Sequence, residues 1–548
     1  MSLHLSVAAL GLAAAIAVVF GLAAGPPGRR SVHPPGVSRA SRLGRSAHRP
    51  MALRWAVPTD HRRGRGGATE HRLTNHRLTN HRLSGKRQRR GARWAGRGDL
   101  KVLAVAGPEP GRLVLGRAVG AAGRAGRTVL AAERAQSVAV VGPTQSGKTT
   151  ALAVPAILGW DGPVVAASVK TDLARHTLDW RRRCGQVWCF DPARTTGLPS
   201  SQWSPLAAAR TWAGARRVAA DLTEVTRGAT TTADGEFWYA TAAKLLGPLL
   251  FAAAAGQRTM ADVVRWVDTQ EVGEVVDLLE QAGVPEALQA ARATWQRDDR
   301  QRSSVYTTVE TVLEPFAEPE APPAAMGSEG PMGPAGPVGT GGSVDPEELL
   351  RGRHTLYLCA PAHDQRRLRA LFTALVKQVL DAAFSRSARL GRPLDPPLLL
   401  VLDEAANIAP LADLDGLAAT CAGHGVQLVT IWQDLAQVTA RYGNRGATVV
   451  NNHRAKLFLS GTSDPGTLDQ ASHLIGDEEV MTPSVTHQAG GGRATTSAPV
   501  QRRLLPPDAV RQLPAGTGVL VYGSLPPVRL ALQPWWADPT LRGRGSAD

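Results

Sequence analysis

The chain has 548 residues, 43% of them hydrophobic, so it is longer than one hydrophobic core usually supports and we expect two or more folded units. Its formal net charge is +17. The first 99 residues contain 18 arginines, one lysine and three acids and therefore carry +16, which leaves a net charge of +1 for the other 449 residues. The charge is therefore no argument that the folded body binds nucleic acid, and four scattered cysteines exclude a disulfide framework.

An uncharged apolar segment opens the chain. Residues 5–24 (LSVAALGLAAAIAVVFGLAA) are long enough to cross a hydrocarbon core as a helix. Only His4 precedes the segment, whereas Arg29 and Arg30 follow it, which favours a membrane anchor over a cleaved secretory signal, since a signal carries positive residues in front. The same charge bias predicts a single-pass protein with residues 1–28 as the transmembrane anchor and everything after it in the cytoplasm.

A basic, nearly aromatic-free segment follows the anchor. Residues 29–99 are rich in Arg, His, Gly, Pro and Ser, a composition that cannot bury enough apolar surface to fold, so we expect a disordered linker. Within it, residues 71–85 repeat every five residues (HRLTNHRLTNHRLSG), which matches low complexity better than a metal site. The arginines fit anionic lipid headgroups or, second, nucleic acid, and the sequence does not separate these two partners.

A phosphate-binding loop follows the apolar run at residues 137–141. The stretch GPTQSGKT satisfies the P-loop pattern, in which backbone N–H groups at a helix start face the phosphates, a lysine neutralises β- and γ-oxygens and a hydroxyl holds Mg²⁺. This pattern predicts a site for ATP and Mg²⁺, with Lys148 as the catalytic cation and Thr149 as a metal ligand. The predicted nucleotide-binding residues are Gly142, Pro143, Thr144, Gln145, Ser146, Gly147, Lys148, Thr149 and Thr150.

Two later strands end in polar residues that complete such a site. The run 398–402 reads as a buried parallel strand followed by Asp403, a predicted Mg²⁺ ligand, and Glu404, predicted to orient or deprotonate the attacking water. The strand that begins at Val426 ends in Gln433, an amide that could sense the γ-phosphate or simply cap a strand. We expect Lys148 and Asp403 to meet at adjacent strand ends.

Further apolar runs alternate with helical stretches and predict an α/β fold with a twisted, mostly parallel sheet. Between two of these runs, about 160 residues lack a convincing strand and have helical periodicity, which predicts an all-α insert. The predicted boundaries are 100–204 and 346–536 for the two parts of the nucleotide-binding domain, 205–320 for the insert, 321–345 for a Gly/Pro-rich loop and 537–548 for a disordered tail.

Several segments occur along the chain in this order: the anchor, GPTQSGKT, ASVKTDL with CFDP and WSPL, an insert opening on EFW, LDEAANIAPL, and IWQDLAQVTARYG before NNHRAKLFLSG. As an ordered set, they resemble the type IV secretion coupling proteins of the TraG/TraD kind. The resemblance spans about residues 111–536. It implies a RecA-like P-loop NTPase on the inner (cytoplasmic) membrane that assembles as a homo-hexamer and pumps conjugative DNA, with its attached relaxase, into the channel of the secretion system.

The resemblance also implies roles and alternatives. Such motors take an arginine from the neighbouring subunit, and Arg441, Arg445 and Arg454 all lie in the expected region. The insert resembles the part that contacts the substrate or its adaptor. An FtsK-type double-stranded DNA translocase is the nearest alternative, although no winged-helix-like segment follows the last predicted strand. A membrane docking platform for secreted protein substrates is the alternative from another class.

Overall fold

The computed structural model of the chain describes residues 91–120, 125–227, 233–317, 342–361, 363–487 and 493–546. The predicted anchor, most of the predicted linker and most of the predicted Gly/Pro-rich loop lie outside the described residues.

Twelve of the fourteen described strands form one mixed sheet. The strands are β1 (Ala104–Val105), β2 (Val114–Val119), β3 (Ala125–Ala131), β4 (Val138–Val141), β5 (Val164–Ser168), β6 (Val187–Phe190), β7 (Thr355–Cys359), β8 (Leu398–Leu402), β9 (Val426–Trp432), β10 (Ala455–Leu459), β11 (Asp477–His487), β12 (Arg493–Arg503), β13 (Thr517–Tyr522) and β14 (Val528–Ala531). Their order in the sheet is β1-β3-β2-β14-β13-β10-β4-β9-β8-β5-β7-β6, and β11 and β12 form a separate antiparallel ribbon.

The seven neighbouring strands from β10 to β6 are parallel, as the sequence predicted. Their apolar side chains are buried because helices cover both faces of this part of the sheet, which is why these strands read as unbroken apolar runs. The other five strands extend the sheet with antiparallel pairings that the sequence did not predict. β3 shows why, since most of its residues are exposed or half-buried and its sequence, AGRTVLA, carries no continuous apolar run.

Sixteen α-helices occur in the described residues. They are α1 (Val154–Gly159), α2 (Asp172–Cys184), α3 (Trp212–Arg227), α4 (Ala233–Ala255), α5 (Met260–Asp268), α6 (Gly273–Gln281), α7 (Pro285–Trp295), α8 (Asp299–Leu313), α9 (Pro346–Leu349), α10 (Gln365–Leu390), α11 (Leu414–His424), α12 (Leu435–Tyr442), α13 (Gly446–Asn452), α14 (Pro465–Ile475), α15 (Pro507–Arg511) and α16 (Pro539–Arg542).

Helices α3 to α8 lie between β6 and β7, where the sequence predicted an all-α insert. α4 is its central helix, and its Leu245, Leu246 and Leu250 are fully buried. Residues 235–255 of α4 are long and apolar enough to cross a membrane, but 61% of their most apolar window is buried inside the protein, as in the core helix of a globular domain. Lys377 of α10 ties α3 to the sheet domain, with its ammonium 2.8 Å from Asp221 and 3.0 Å from Glu224.

The carboxy-terminal segment corrects the prediction of a disordered tail at 537–548. α16 buries Leu541, and the chain then packs on α2, where the Ser546 hydroxyl donates to Asp179 (2.9 Å) and the Arg544 guanidinium lies 4.6 Å from the ring centre of Trp180. Apolar and aromatic contacts therefore fix residues up to 546, although the segment looked polar and short.

The predicted linker also ends earlier than residue 99. The Ala92 N–H donates to the carbonyl of Asp477 (2.7 Å), and the Ala95 N–H donates to that of Pro527 (2.9 Å). Between them, the Trp94 ring lies 4.4 Å from the guanidinium of Arg529. Residues 91–99 therefore belong to the folded body, because one tryptophan and two backbone hydrogen bonds attach them to it.

Candidate functional site

The phosphate-binding loop joins the end of β4 to a helix whose first turn, Thr149–Ala153, is π-helical. Within the loop, Gln145 and Gly147 have φ angles of 64° and 89°, so the backbone turns back on itself before the helix begins. Gly142 starts the turn, and a Cβ atom there would lie 2.7 Å from the Cβ of Leu459. The close passage of β10 therefore requires glycine at this position.

Lys148 lies inside this loop and is only 8% exposed. Its ammonium donates to the carbonyls of Gly142 and Pro143, the latter at 2.7 Å. Burial lowers the pKa of Lys148, whereas the carboxylates of Asp403 and Glu404 oppose that shift. The lysine thus sits at the centre of the loop with its charge held by backbone oxygens, which bind it less strongly than a phosphate would.

Asp403, directly after β8, is brought to the loop as predicted. Its Oδ2 accepts from the hydroxyl of Thr149 and from that of Ser168, both at 3.3 Å, and the residue is 5% exposed. Burial and the neighbouring Glu404 raise the pKa of Asp403, although Lys148 and both hydroxyls favour its charged form. The charged form of this carboxylate is therefore less stabilised than it would be in water.

The strand order corrects one prediction. β4 and β8 are not neighbours, because β9 lies between them, with Val138 of β4 paired to Val429 and Leu402 of β8 paired to Thr430. Hydrogen bonds from Gly142 to the carbonyl of Trp432 and from Ala405 to that of Ile431 join both loops to the end of β9. Gln433 therefore lies between the two predicted halves of the site.

Glu404 is held in an unusual conformation. Its φ is 60°, in the left-handed region that a residue with a Cβ rarely adopts. The side-chain amide of Asn407 donates to Glu404 Oε2 (3.3 Å), and the Asn407 N–H donates to the Glu404 carbonyl (2.8 Å). These two contacts fix the turn that aims the carboxylate.

Magnesium fits this group of residues. Mg²⁺ takes oxygen ligands, keeps several waters and is usually bound through one or two carboxylates plus substrate phosphates. The described residues contain no cluster of three or more His, Cys, Asp or Glu side chains that could cage a metal, so the protein ligands would be the Thr149 hydroxyl and Asp403. Burial leaves the charged form of Asp403 poorly stabilised, and a bound divalent cation would stabilise it.

The three candidate arginines each have partners within this chain. Arg441 donates to the carbonyl of Pro410 (3.3 Å), and burial lowers its pKa. Arg445 pairs with Asp415, which raises the pKa of the arginine. Arg454 lies at the amino-terminal edge of the parallel strands, opposite the phosphate-binding loop, with its guanidinium 3.6 Å from a Glu133 oxygen.

Three residues at this site were not predicted as functional. Ser168 and Lys170 follow the neighbouring strand β5, where the Lys170 N–H donates to the Ser168 hydroxyl (3.2 Å), and Asn407 follows Glu404. In the sequence, the stretch ASVKTDL contributes to the family resemblance but matches no catalytic pattern. The signal that could have found Ser168 and Lys170 is that β5 ends in polar residues, as β8 and β9 do.

Fold and site together define a RecA-like P-loop nucleotide-binding protein. Residues 93–329 match the family described as "Type IV secretory system Conjugative DNA transfer", and residues 397–515 match the "TraM recognition site of TraD and TraG". The conjugal transfer protein TraG of Escherichia coli is 25% identical over 414 residues, which are 69% of this chain and 62% of TraG. Protein VirD4 of Agrobacterium fabrum is 25% identical over 433 residues, 74% of this chain and 59% of VirD4.

The bacterial conjugative coupling protein TrwB has the same fold. Its unbound form aligns with a TM-score of 0.60 and 20% identity, covering 81% of this chain and 93% of TrwB. TrwB in complex with ADP and Mg²⁺ aligns with a TM-score of 0.53 and 17% identity, covering 78% of this chain and 96% of TrwB. The predicted RecA-like architecture, a mixed sheet flanked by helices, is confirmed by this match.

The resemblance to the coupling proteins of type IV secretion systems is therefore confirmed by both family models and by the TraG and VirD4 relatives. The chain spans about 62% of the length of the TraG relative that it matches.

Proposed function

We propose that this chain is an ATPase that couples ATP hydrolysis to the transfer of conjugative DNA, with its attached relaxase, into a type IV secretion channel. The observation that carries the proposal is the approach of the Thr149 hydroxyl to the buried Asp403 carboxylate, 3.3 Å apart, beside a loop with the phosphate-binding pattern. Similarity to the conjugative DNA transfer family and to TraG supports the cargo and the channel.

The proposed chemistry divides among the residues of the site. Lys148 leaves the carbonyls of Gly142 and Pro143 and neutralises β- and γ-phosphate oxygens, a stronger partner for its charge. Thr149 and Asp403 hold Mg²⁺, which supplies charge neutralisation on the phosphates when bound.

Two residues of the proposed mechanism act on the attacking water. Glu404 orients that water and accepts its proton, from the turn that Asn407 fixes. Gln433, at the end of the central strand β9, has its backbone N–H bonded to Gln437 (3.1 Å), which anchors the position from which its amide would reach the γ-phosphate or the water.

The proposed assembly is a homo-hexamer on the cytoplasmic face of the inner membrane. Residues 5–24 form the proposed single-pass anchor, and an arginine of the neighbouring subunit completes each site. The all-α insert α3 to α8 is the proposed contact with the substrate or its adaptor. A ring needs only local positive charge in its pore, which a body with a net charge near neutral allows.

The test is ATP hydrolysis by the full-length protein in detergent, measured with duplex DNA, single-stranded DNA and no DNA. Lys148→Ala should abolish nucleotide binding, whereas Glu404→Gln should retain binding and lose about 10²–10⁴-fold in rate, the usual value of a general base. Glu310→Gln, an exposed residue of α8, is the matched control for the second variant and should leave the rate unchanged.

DNA should stimulate the wild-type rate. If duplex, single strands and no DNA give the same rate, the translocation proposal is wrong and the docking platform for secreted proteins replaces it. If Glu404→Gln hydrolyses ATP like the wild type, the role proposed for that carboxylate is wrong.

A further inference from the structure

A second lysine lies at the edge of the sheet that carries the phosphate-binding loop. β5 pairs with β8 so that Ala167 is opposite Leu402, which puts Ser168 beside Asp403. The Ser168 hydroxyl donates to Asp403 Oδ2 (3.3 Å) and accepts from the backbone N–H of Lys170 (3.2 Å). One hydroxyl thus fixes the turn after β5 and places Lys170 two residues beyond a group that touches the proposed metal ligand.

The side chain of Lys170 is available for a ligand. Lys170 is exposed, and within the part of the chain that the structure describes its ammonium makes no ion pair or hydrogen bond. A lysine side chain is long and flexible, so from this turn beside Asp403 the ammonium can reach an anion bound at the phosphate-binding loop.

We propose that Lys170 is a further catalytic residue, whose ammonium contacts the γ-phosphate of the nucleotide held by Lys148; this rests on the proposed function. In the reaction, water bonds to the γ-phosphorus, the bond to the β–γ bridging oxygen breaks, ADP and phosphate leave, and the water proton goes to Glu404. Lys170 contributes positive charge from the same subunit to the transferring phosphoryl oxygens.

A simpler role is that Lys170 balances nearby carboxylates. Asp403, Glu404 and Asp434 all act on the charge of Lys148, so an added cation is favourable there without touching a nucleotide. The two roles differ in one measurable respect. A γ-phosphate contact discriminates between ATP and ADP, whereas charge balance affects both nucleotides alike.

The experiment compares the full-length wild type with Lys170→Ala, Lys170→Arg and the control Lys244→Ala, an exposed lysine of α4. Affinities for ADP and for a non-hydrolysable ATP analogue are measured with Mg²⁺, together with kcat. In Lys170→Ala, we expect unchanged ADP affinity, a loss of about tenfold or more in analogue affinity, and a lower kcat, as for removal of one hydrogen bond between charged groups. Lys170→Arg should restore most of the analogue affinity, and Lys244→Ala should match the wild type.

Unchanged ADP affinity also reports that the variant is folded. If Lys170→Ala weakens ADP and the analogue equally, or neither of them, Lys170 does not contact the γ-phosphate and the proposal is wrong. Failure of the proposed function is distinguishable, because in that case the wild type itself would not hydrolyse ATP or would not respond to DNA.

Discussion

Ser168→Ala removes one of the two hydroxyl groups that support the buried Asp403 carboxylate. The hydroxyl donates to Asp403 Oδ2 at 3.3 Å, and Asp403 is 5% exposed, so no water replaces the lost donor easily. A hydrogen bond to a charged group contributes about 1.5–3 kcal/mol, and loss of a partner that orients a metal ligand usually costs about 10–100-fold in metal affinity. We therefore expect Ser168→Ala to bind the Mg²⁺–ADP complex about 10–100-fold more weakly than the wild type.

The assay is calorimetric titration of the full-length protein with ADP at saturating Mg²⁺ and at limiting Mg²⁺, where the loss should be larger. Ser472→Ala is the matched control, because Ser472 is equally buried and its hydroxyl donates to the carbonyl of Leu505 (2.7 Å), outside the site. The reasoning is refuted if Ser168→Ala binds within about threefold of the wild type, or if Ser472→Ala shows the same loss.

Two further predictions concern the loop and a buried histidine. Gly142→Ala should lower the free energy of unfolding by about 1–3 kcal/mol and weaken nucleotide binding, because the new Cβ would lie 2.7 Å from that of Leu459. Chemical denaturation checks this against Gly416→Ala, where nothing lies within 4 Å of the new Cβ and the change should be neutral or stabilising. Burial lowers the pKa of His453 to about 4, so the unfolded chain binds the proton more tightly, and wild-type stability should fall as the pH drops from about 6.5 towards that value, by at most about 1.4 kcal/mol per pH unit. His453→Gln lacks this component, so the difference in unfolding free energy between wild type and variant should shrink over that window, and parallel curves would contradict the assignment.

The two sequence motifs of the site were predictable because each is a local pattern. The loop at Gly142–Thr149 and the doublet Asp403–Glu404 each follow a buried strand, and their residue types suit phosphate and Mg²⁺. The position of β9 between the strands that carry these motifs was not predictable, because strand order depends on pairings between residues far apart in the chain. Gln433 was singled out by its place after a strand, without the knowledge that this strand is central.

Elements with mixed exposure escaped prediction for a physical reason. Strands β2 and β3 of the antiparallel extension and the ribbon β11–β12 are half-exposed or exposed along most of their length, so their sequences lack the unbroken apolar runs that marked the parallel strands. The segment at 537–546 was misjudged because a few side chains attach it, chiefly Leu541 and the contacts of Arg544 and Ser546 with α2. Short attachments of this kind depend on the receiving surface, which the local sequence does not contain.

The place of the insert in the sheet determines how it can reach the nucleotide site. It joins β6 to β7, at the far edge from β4, so a change in the insert cannot act on the loop through neighbouring strands alone. Helix α10 crosses that distance: its Lys377 binds Asp221 and Glu224 of α3, and its Arg369 donates to the carbonyl of Asn407 (3.4 Å), whose amide holds Glu404. Lys377 and Arg369 are eight residues apart on α10, which corresponds to about 12 Å along the helix axis. Breaking a largely buried ion pair by removing one partner costs about 3–5 kcal/mol, so α3 and α10 should move together. A displacement of the insert should therefore first change the conformation of the turn that positions Glu404.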